Sequence, residues 1–250
     1  MRELLILGIG PHAMEIADIA DRINHVQETW NLLGFVSPTD DKVGEERHGL
    51  PVFGSSQVWD EYPAALVIPE YEWPLKSRIP RQRLASLIDP NSFISTSARI
   101  GLGCVIYPHC FVGPDVRIGD FLFCLAGSVI NHEDVIEDRV TITSSVTVAG
   151  NVHIEADCYL GQSCTIREMT RIGHGSLIGI GSVVLSDVAP NSVMVGNPAR
   201  KLGARSHKLA DLSILRTARW ISRKGARAAR RKARGAVARV VRRVSPCTRN

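Results

Sequence analysis

From Ile94 to Val188 the chain repeats every six residues without an insertion. An aliphatic residue opens each hexad, at Ile94, Ile100, Ile106, Val112 and Ile118 and again from Ile130 through Val184, and only Cys124 departs from the rule. Four residues after the opener the side chain is usually small or slim, as at Ala98, Cys104, Cys110, Val116, Ser128, Val146, Cys158, Cys164, Ser176 and Ser182. Both positions must point inward. A period of six suits neither a helix, with its period of 3.6, nor one long strand, but it suits short strands joined by corners. Residues 90–203 are therefore expected to form an all-β solenoid, each coil stacked on the next because none can bury its own apolar face.

These hexads resemble the left-handed parallel β-helix of the hexapeptide acyltransferases. That resemblance implies the handedness, a triangular coil of three hexads and eighteen residues, and about five coils in one continuous core.

Length and composition leave room for two modest domains. No apolar run reaches the roughly 18 residues of a membrane-spanning helix. Met1-Arg2-Glu3 leads into Leu4 to Leu7 with no small-residue cleavage site behind it, so a cytoplasmic protein is expected. Of the six cysteines, Cys104, Cys110, Cys158 and Cys164 occupy the small inward slot and Cys124 an opener slot. Packing accounts for these five, and no CxxC pair points to zinc or redox chemistry. The net charge of +5 averages two unlike parts: residues 205–250 carry +14 and residues 1–204 carry −9.

Residues 1–89 read as a small α/β unit. Leu4 to Leu7 is a buried-strand run, Gly8-Ile9-Gly10-Pro11-His12-Ala13 a glycine turn, and Met14 to Ala20 a helix. The spacing Gly8, Gly10, Ala13 fits the G-x-G-x-x-G/A pattern, in which bare glycines let a phosphate approach a helix N-terminus. Leu32 to Val36 and Ala64 to Ile68 read as parallel strands, and Leu75 to Leu87 as a short basic helix. About ninety residues are too few for a full dinucleotide domain.

The order of glycine-turn α/β unit, junction Leu87-Ile88-Asp89-Pro90-Asn91-Ser92 and hexads resembles the sugar O- and N-acyltransferases of the sialic acid O-acetyltransferase and bacillosamine N-acetyltransferase group, over residues 1 to about 203. The resemblance implies a Rossmann-like first domain that holds a nucleotide-sugar acceptor, with Gly8, Gly10 and His12 beside the ligand. His12 also reads simply as a helix-start residue. Two segments depart from the group. Ser37-Pro38-Thr39 precedes Asp40 and Asp41 where acids usually follow the second strand directly, and Pro69-Glu70-Tyr71 replaces the usual Gly-Asn or Gly-Asp-Asn after the third. The acceptor is thus a nucleotide sugar of another kind or a sugar without nucleotide.

Four histidines lie inside the repeat, at 109, 132, 153 and 174. A zinc site on this fold needs three that converge, and these spacings place them on different faces or hexad positions, so no metal is expected. His132 occupies an outward slot, next to Glu133. Gly150 lies eighteen residues on, so no side chain covers the imidazole. The resemblance implies that His132 is the general base of acyl transfer from acetyl-CoA, with Glu133 orienting it. An amine or hydroxyl attacks a thioester well only as it loses its proton, and imidazole titrates in the working range. The other reading of His132 is a solvated corner residue. Asp134, in an inward slot, is either a second acid tuning His132 or a strained structural acid, and Thr141 stands where the group often has another histidine. By the same resemblance Gly150, Gly161 and Gly179 meet the pantetheine arm, while Arg200 and Lys201 of the closing segment Val195-Gly196-Asn197-Pro198-Ala199-Arg200-Lys201 face CoA phosphates. Gly175 and Gly181 read as corner glycines.

The resemblance further implies a homotrimer with CoA between neighbouring β-helices. The tail, residues 204–250, reads as a basic amphipathic helix suited to an anionic membrane surface at the inner face, or as a solvated, partly disordered extension; no motif for nucleic acid accompanies its charge. A non-catalytic hexapeptide scaffold anchored by that tail is the alternative to an enzyme.

Overall fold

The computed structural model describes residues 1–40, 42–74 and 76–204. The basic tail therefore lies, from 205 on, outside the described residues.

The N-terminal unit opens with β1 (Arg2–Leu7), α1 (Pro11–Val26) and β2 (Trp30–Ser37). It continues through β3 (Glu46–Arg47), β4 (Leu50–Gly54), α2 (Ser55–Glu61) and β5 (Leu66–Pro69). The sheet order is β3-β4-β2-β1-β5, parallel except for the β3–β4 hairpin. Leu4, Leu5, Ile6 and Leu7 are all fully buried, which is why this central strand reads as an unbroken apolar run rather than an alternating one. The expected helix at 75–87 is absent. Pro74 and Pro80 interrupt the stretch, and two short 3-10 turns, Lys76–Arg78 and Arg81–Arg83, form instead. The β3–β4 hairpin and α2 were not expected from the sequence.

The hexads form a parallel β-solenoid of three faces, each coil giving one two-residue strand to each face. Each residue pairs with the one eighteen further on, as Phe111 with Val129 and Val129 with Thr147. The coil is that of a left-handed β-helix. The first face begins with Leu87–Ile88, one hexad before Ile94, and runs through Val105–Ile106, Phe123–Cys124, Thr141–Ile142, Tyr159–Leu160 and Leu177–Ile178. It closes with the hairpin Ser192–Val195 and Arg200–Ala204. The second face runs from Phe93–Ile94 to Val183–Val184, and the third from Arg99–Ile100 to Arg171–Ile172.

Openers from Ile106 to Val184 are buried, and so are the five hexad cysteines. Each buried opener contributes about 1.5–3 kcal/mol. The third residue after the opener takes a left-handed backbone conformation, glycine or not: Asp115 (φ 57), Glu133 (φ 59), Arg139 (φ 58), Asn151 (φ 59) and Met169 (φ 57). That conformation costs roughly 1–2 kcal/mol without glycine, so one buried opener offsets one strained corner.

The N-terminal unit seats on the first face. Val105 and Phe123, which point outward there, pack in one cluster with Ile16, Ala20 and Leu87. Tyr107 donates to Glu15 Oε2 at 2.9 Å, and Arg22 grips the fully buried Asp89 through Nε (2.5 Å) and a second nitrogen (3.1 Å). Arg81 Nη1 donates to Asp120 Oδ2.

Candidate active site

His132, Glu133 and Gly150 are brought together at the corner between the second and third faces. The outward slot exposes the imidazole, at 57% of its surface, and Glu133 equally, at 58%. His132 Nδ1 lies 3.1 Å from Glu133 Oε2, which also accepts from Asn151 Nδ2 at 3.3 Å. With Nδ1 committed to the carboxylate as donor, Nε2 holds the lone pair, the tautomer a general base requires. A Cβ on Gly150 would fall 2.5 Å from His132 Cε1 and 2.6 Å from Nε2. Glycine is thus required by the imidazole itself, whose ring occupies the volume a side chain at 150 would need. The substrate must approach from the side.

An open groove of about 680 Å3 runs beside Glu133, lined by Ser97, Arg99, Asp115, Arg117, Glu133 and Val135. Arg99 and Arg117 stack on consecutive coils of the third face. Their hexad position, just before the opener, is visible in the sequence, but a pair of cations became meaningful only once the coil put them in one groove with Glu133.

Asp134 points into the core and is fully buried. One oxygen accepts from Val152 N at 2.8 Å, one coil on, the role that Ser128 plays for Val146 N at 3.3 Å. The other oxygen has no partner. Burial pushes the carboxyl up to about 7, against the pull of the Val152 N–H and the charge of His132.

Gly161 and Gly179 lie elsewhere, at the corner between the first and second faces. A Cβ on Gly161 would lie 2.7 Å from Ile178 O, and one on Gly179 would lie 2.9 Å from Val195 Cγ1 and 3.2 Å from Met194 O. Their bareness serves coil stacking. Arg200 and Lys201 pair with Val195 and Met194 in the closing hairpin of the first face, so they sit near Gly179 rather than near His132. Within one chain Gly161, Gly179, Arg200 and Lys201 lie at the opposite edge of the second face from the expected base, and only Gly150 of the expected donor residues lies with it. That face presents Phe93 and Phe111, stacked at 5.0 Å and exposed by 57% and 37%.

Gly8, Gly10 and His12 do gather, at the N-terminus of α1 above the first face. His12 Nδ1 lies 2.8 Å from Glu15 Oε2, and its ring meets Tyr71 and Phe123 edge-on at 5.3 and 5.4 Å. The glycine turn is not vacant. A Cβ on Gly8 would lie 2.4 Å from Glu70 Cδ, so the Glu70 side chain fills the place where a phosphate was expected. Of the other histidines, His153 binds Glu137 (2.8 Å) and His174 faces Asp157 (3.8 Å). Among the described residues no three His, Cys, Asp or Glu side chains converge to hold a metal ion.

No protein-family model matches the sequence, and no curated protein does. Solved structures do. The acetyltransferase domain of PglB from Neisseria gonorrhoeae superposes with a TM-score of 0.72 at 22% identity, covering 81% of this chain and 100% of that one. The fold is shared. WeeI from Acinetobacter baumannii gives 0.70 at 24% identity over 81% of this chain and 100% of its own. PerB from Caulobacter crescentus, in complex with CoA and GDP-perosamine, gives 0.69 at 21% over 81% and 98%.

Asp134 yields a stability test. Its folded-state value lies above the ordinary 3.8, so stability is greatest below that value and falls as pH rises to about 7. Asp134→Ser retains an acceptor for Val152 N and removes the orphan oxygen. It should stabilise the protein on the order of 2–4 kcal/mol at pH 8 and little at pH 4.5. Urea unfolding at the two values checks this; an equal change at both contradicts it.

Proposed function

We propose that this chain is a CoA-dependent acyltransferase that moves an acetyl group from acetyl-CoA to the amine or hydroxyl of a nucleotide-linked amino sugar. The observation that carries the reading is the His132–Glu133 pair, with Nε2 lying bare under Gly150. The likeness to PerB, which holds CoA and GDP-perosamine, supports the substrate class. His132 Nε2 takes the proton as the acceptor attacks the thioester carbon, Glu133 stabilises the imidazolium, and the imidazolium returns the proton to the departing thiolate. No covalent enzyme intermediate is needed.

In this reading residues 1–89 are a Rossmann-like acceptor domain, residues 90–203 the transferase domain and residues 204–250 a basic tail. The acceptor domain sits on the first face, opposite the corner that holds His132. The base, the donor glycines and the acceptor therefore meet only if a second copy packs its first–second corner against the second–third corner of this one. A heterologous contact of this kind can close into a ring, and the homotrimer that the resemblance implies would cover Phe93 and Phe111 at its interface. Arg99, Arg117, Arg200 and Lys201 then supply cations for CoA phosphates.

His132→Ala should lower thiol release from acetyl-CoA, in the presence of an accepting amino sugar nucleotide, by about 10²–10⁴-fold with the fold intact. Unchanged release would remove the catalytic role. The tail is proposed to bind anionic lipid through its +14 charge. Sedimentation with phosphatidylserine vesicles should be lost on truncation after Gly203, and equal binding by both forms would contradict it. Among the described residues no helix is long and apolar enough to cross a membrane.

A further inference from the structure

Glu70 stands immediately after β5. Its N–H bonds Leu7 O at 3.0 Å, continuing the β1–β5 ladder by one residue and fixing the side chain over the glycine turn. Its carboxylate lies against both glycines, since a Cβ on Gly8 would fall 2.6 Å from Oε2 and one on Gly10 would fall 3.4 Å from the same atom. Gly8, at φ 144, leaves the space that Glu70 uses.

The start of α1 has its own vacancy of charge. Gly10 is the N-cap, Pro11 opens the helix, no side chain caps it and its first turn holds no acid. The positive end of a helix attracts an anion, and here the anion comes from another element. Glu72 adds a second acid on the same loop and Glu15 a third on α1. The Tyr71 hydroxyl binds Glu72 at 2.8 Å, and the Tyr107 hydroxyl, from the solenoid, binds Glu15 at 2.9 Å. The cations nearby are engaged: His12 with Glu15 at 2.8 Å, and Lys76, whose ammonium donates to Tyr71 O at 2.9 Å. A phosphate placed beside an ionised Glu70 would be repelled by it.

We infer that Glu70 is a proton-operated specificity residue of the acceptor site. Ionised, its charge bars a ligand phosphate from the glycine turn; protonated, it stays beside the turn and donates a hydrogen bond to the diphosphate of a nucleotide-linked sugar. The inference rests on the reading of the N-terminal unit as the acceptor domain. Burial, reinforced by the charge of Glu72, pushes the Glu70 carboxyl up to about 7, which places the exchange near neutrality. The competent fraction is then about nine-tenths at pH 6 and one-tenth at pH 8, and apparent affinity scales with it.

The test is calorimetric titration of the full chain and its Glu70→Gln variant with GDP-mannose, a diphosphate diester that carries no proton to lose in this range. At pH 8 the variant should bind about tenfold more tightly than wild type, and at pH 6 the two should agree within about twofold. Comparing the forms at each pH cancels every other titration, which both share. Equal affinities at pH 8, a gap that does not change with pH, or no binding by either form would overturn the inference. None of these results touches acyl transfer, which is read separately through His132 and thiol release.

Discussion

Every feature of this molecule depends on the bond between one coil and the next. Each strand residue of the solenoid stacks in register on the residue eighteen further along, held by bonds from an N–H to the carbonyl seventeen on, so a side chain acquires a column of equivalents rather than an isolated environment. The inner columns of isoleucine, valine and small residues hold the coils at β-sheet spacing. The same spacing forbids a Cβ at Gly161, which would meet the backbone carbonyl of Ile178, and tolerates left-handed corners at Glu133 and Arg139 because the buried openers offset them. Strain here is distributed once per hexad.

A column also makes chemistry local. At the corner between the second and third faces it sets an imidazole under a glycine and a carboxylate beside the imidazole, with an asparagine of the next coil fixing the carboxylate in turn. One slot further along, Asp134 takes an inward position built for serine, and one of its oxygens is left without a partner. The N-terminal unit meets the opposite side of the prism and is tied there by Arg22 to Asp89 and by Tyr107 to Glu15. His132 and the N-terminal unit are therefore separated by the thickness of the solenoid within one chain.

Much of this was legible in the residues. The period located the coils, explained five cysteines as packing, and put Gly150 over His132, because six-residue spacing converts directly into position on a face. What stayed hidden depends on contacts between distant segments or on backbone states without a residue signature. Nothing marks Met169 or Arg139 as left-handed, since that is imposed by the coil. Pro74 and Pro80 were in view, yet the apolar and basic pattern around them suggested a helix that the prolines prevent. The G-x-G spacing describes a cradle but not its occupant. Glu70 was noted as a departure in sequence, and only the β1–β5 pairing reveals that it folds back into the turn. Likewise Gly161 and Gly179 seemed to join Gly150, and the three-face geometry assigns them to another edge.

The account's central claim is that the acceptor domain of one copy serves the His132 corner of another. Complementation in mixed oligomers measures it directly. His132→Ala protein is mixed, after partial unfolding and refolding, with protein disabled in the acceptor domain by His12→Ala. The account predicts thiol release from acetyl-CoA well above the sum of the two separate preparations, because hybrid assemblies contain interfaces with both an intact base and an intact acceptor domain. Activity no greater than that sum, in hybrids shown to have formed, would contradict it.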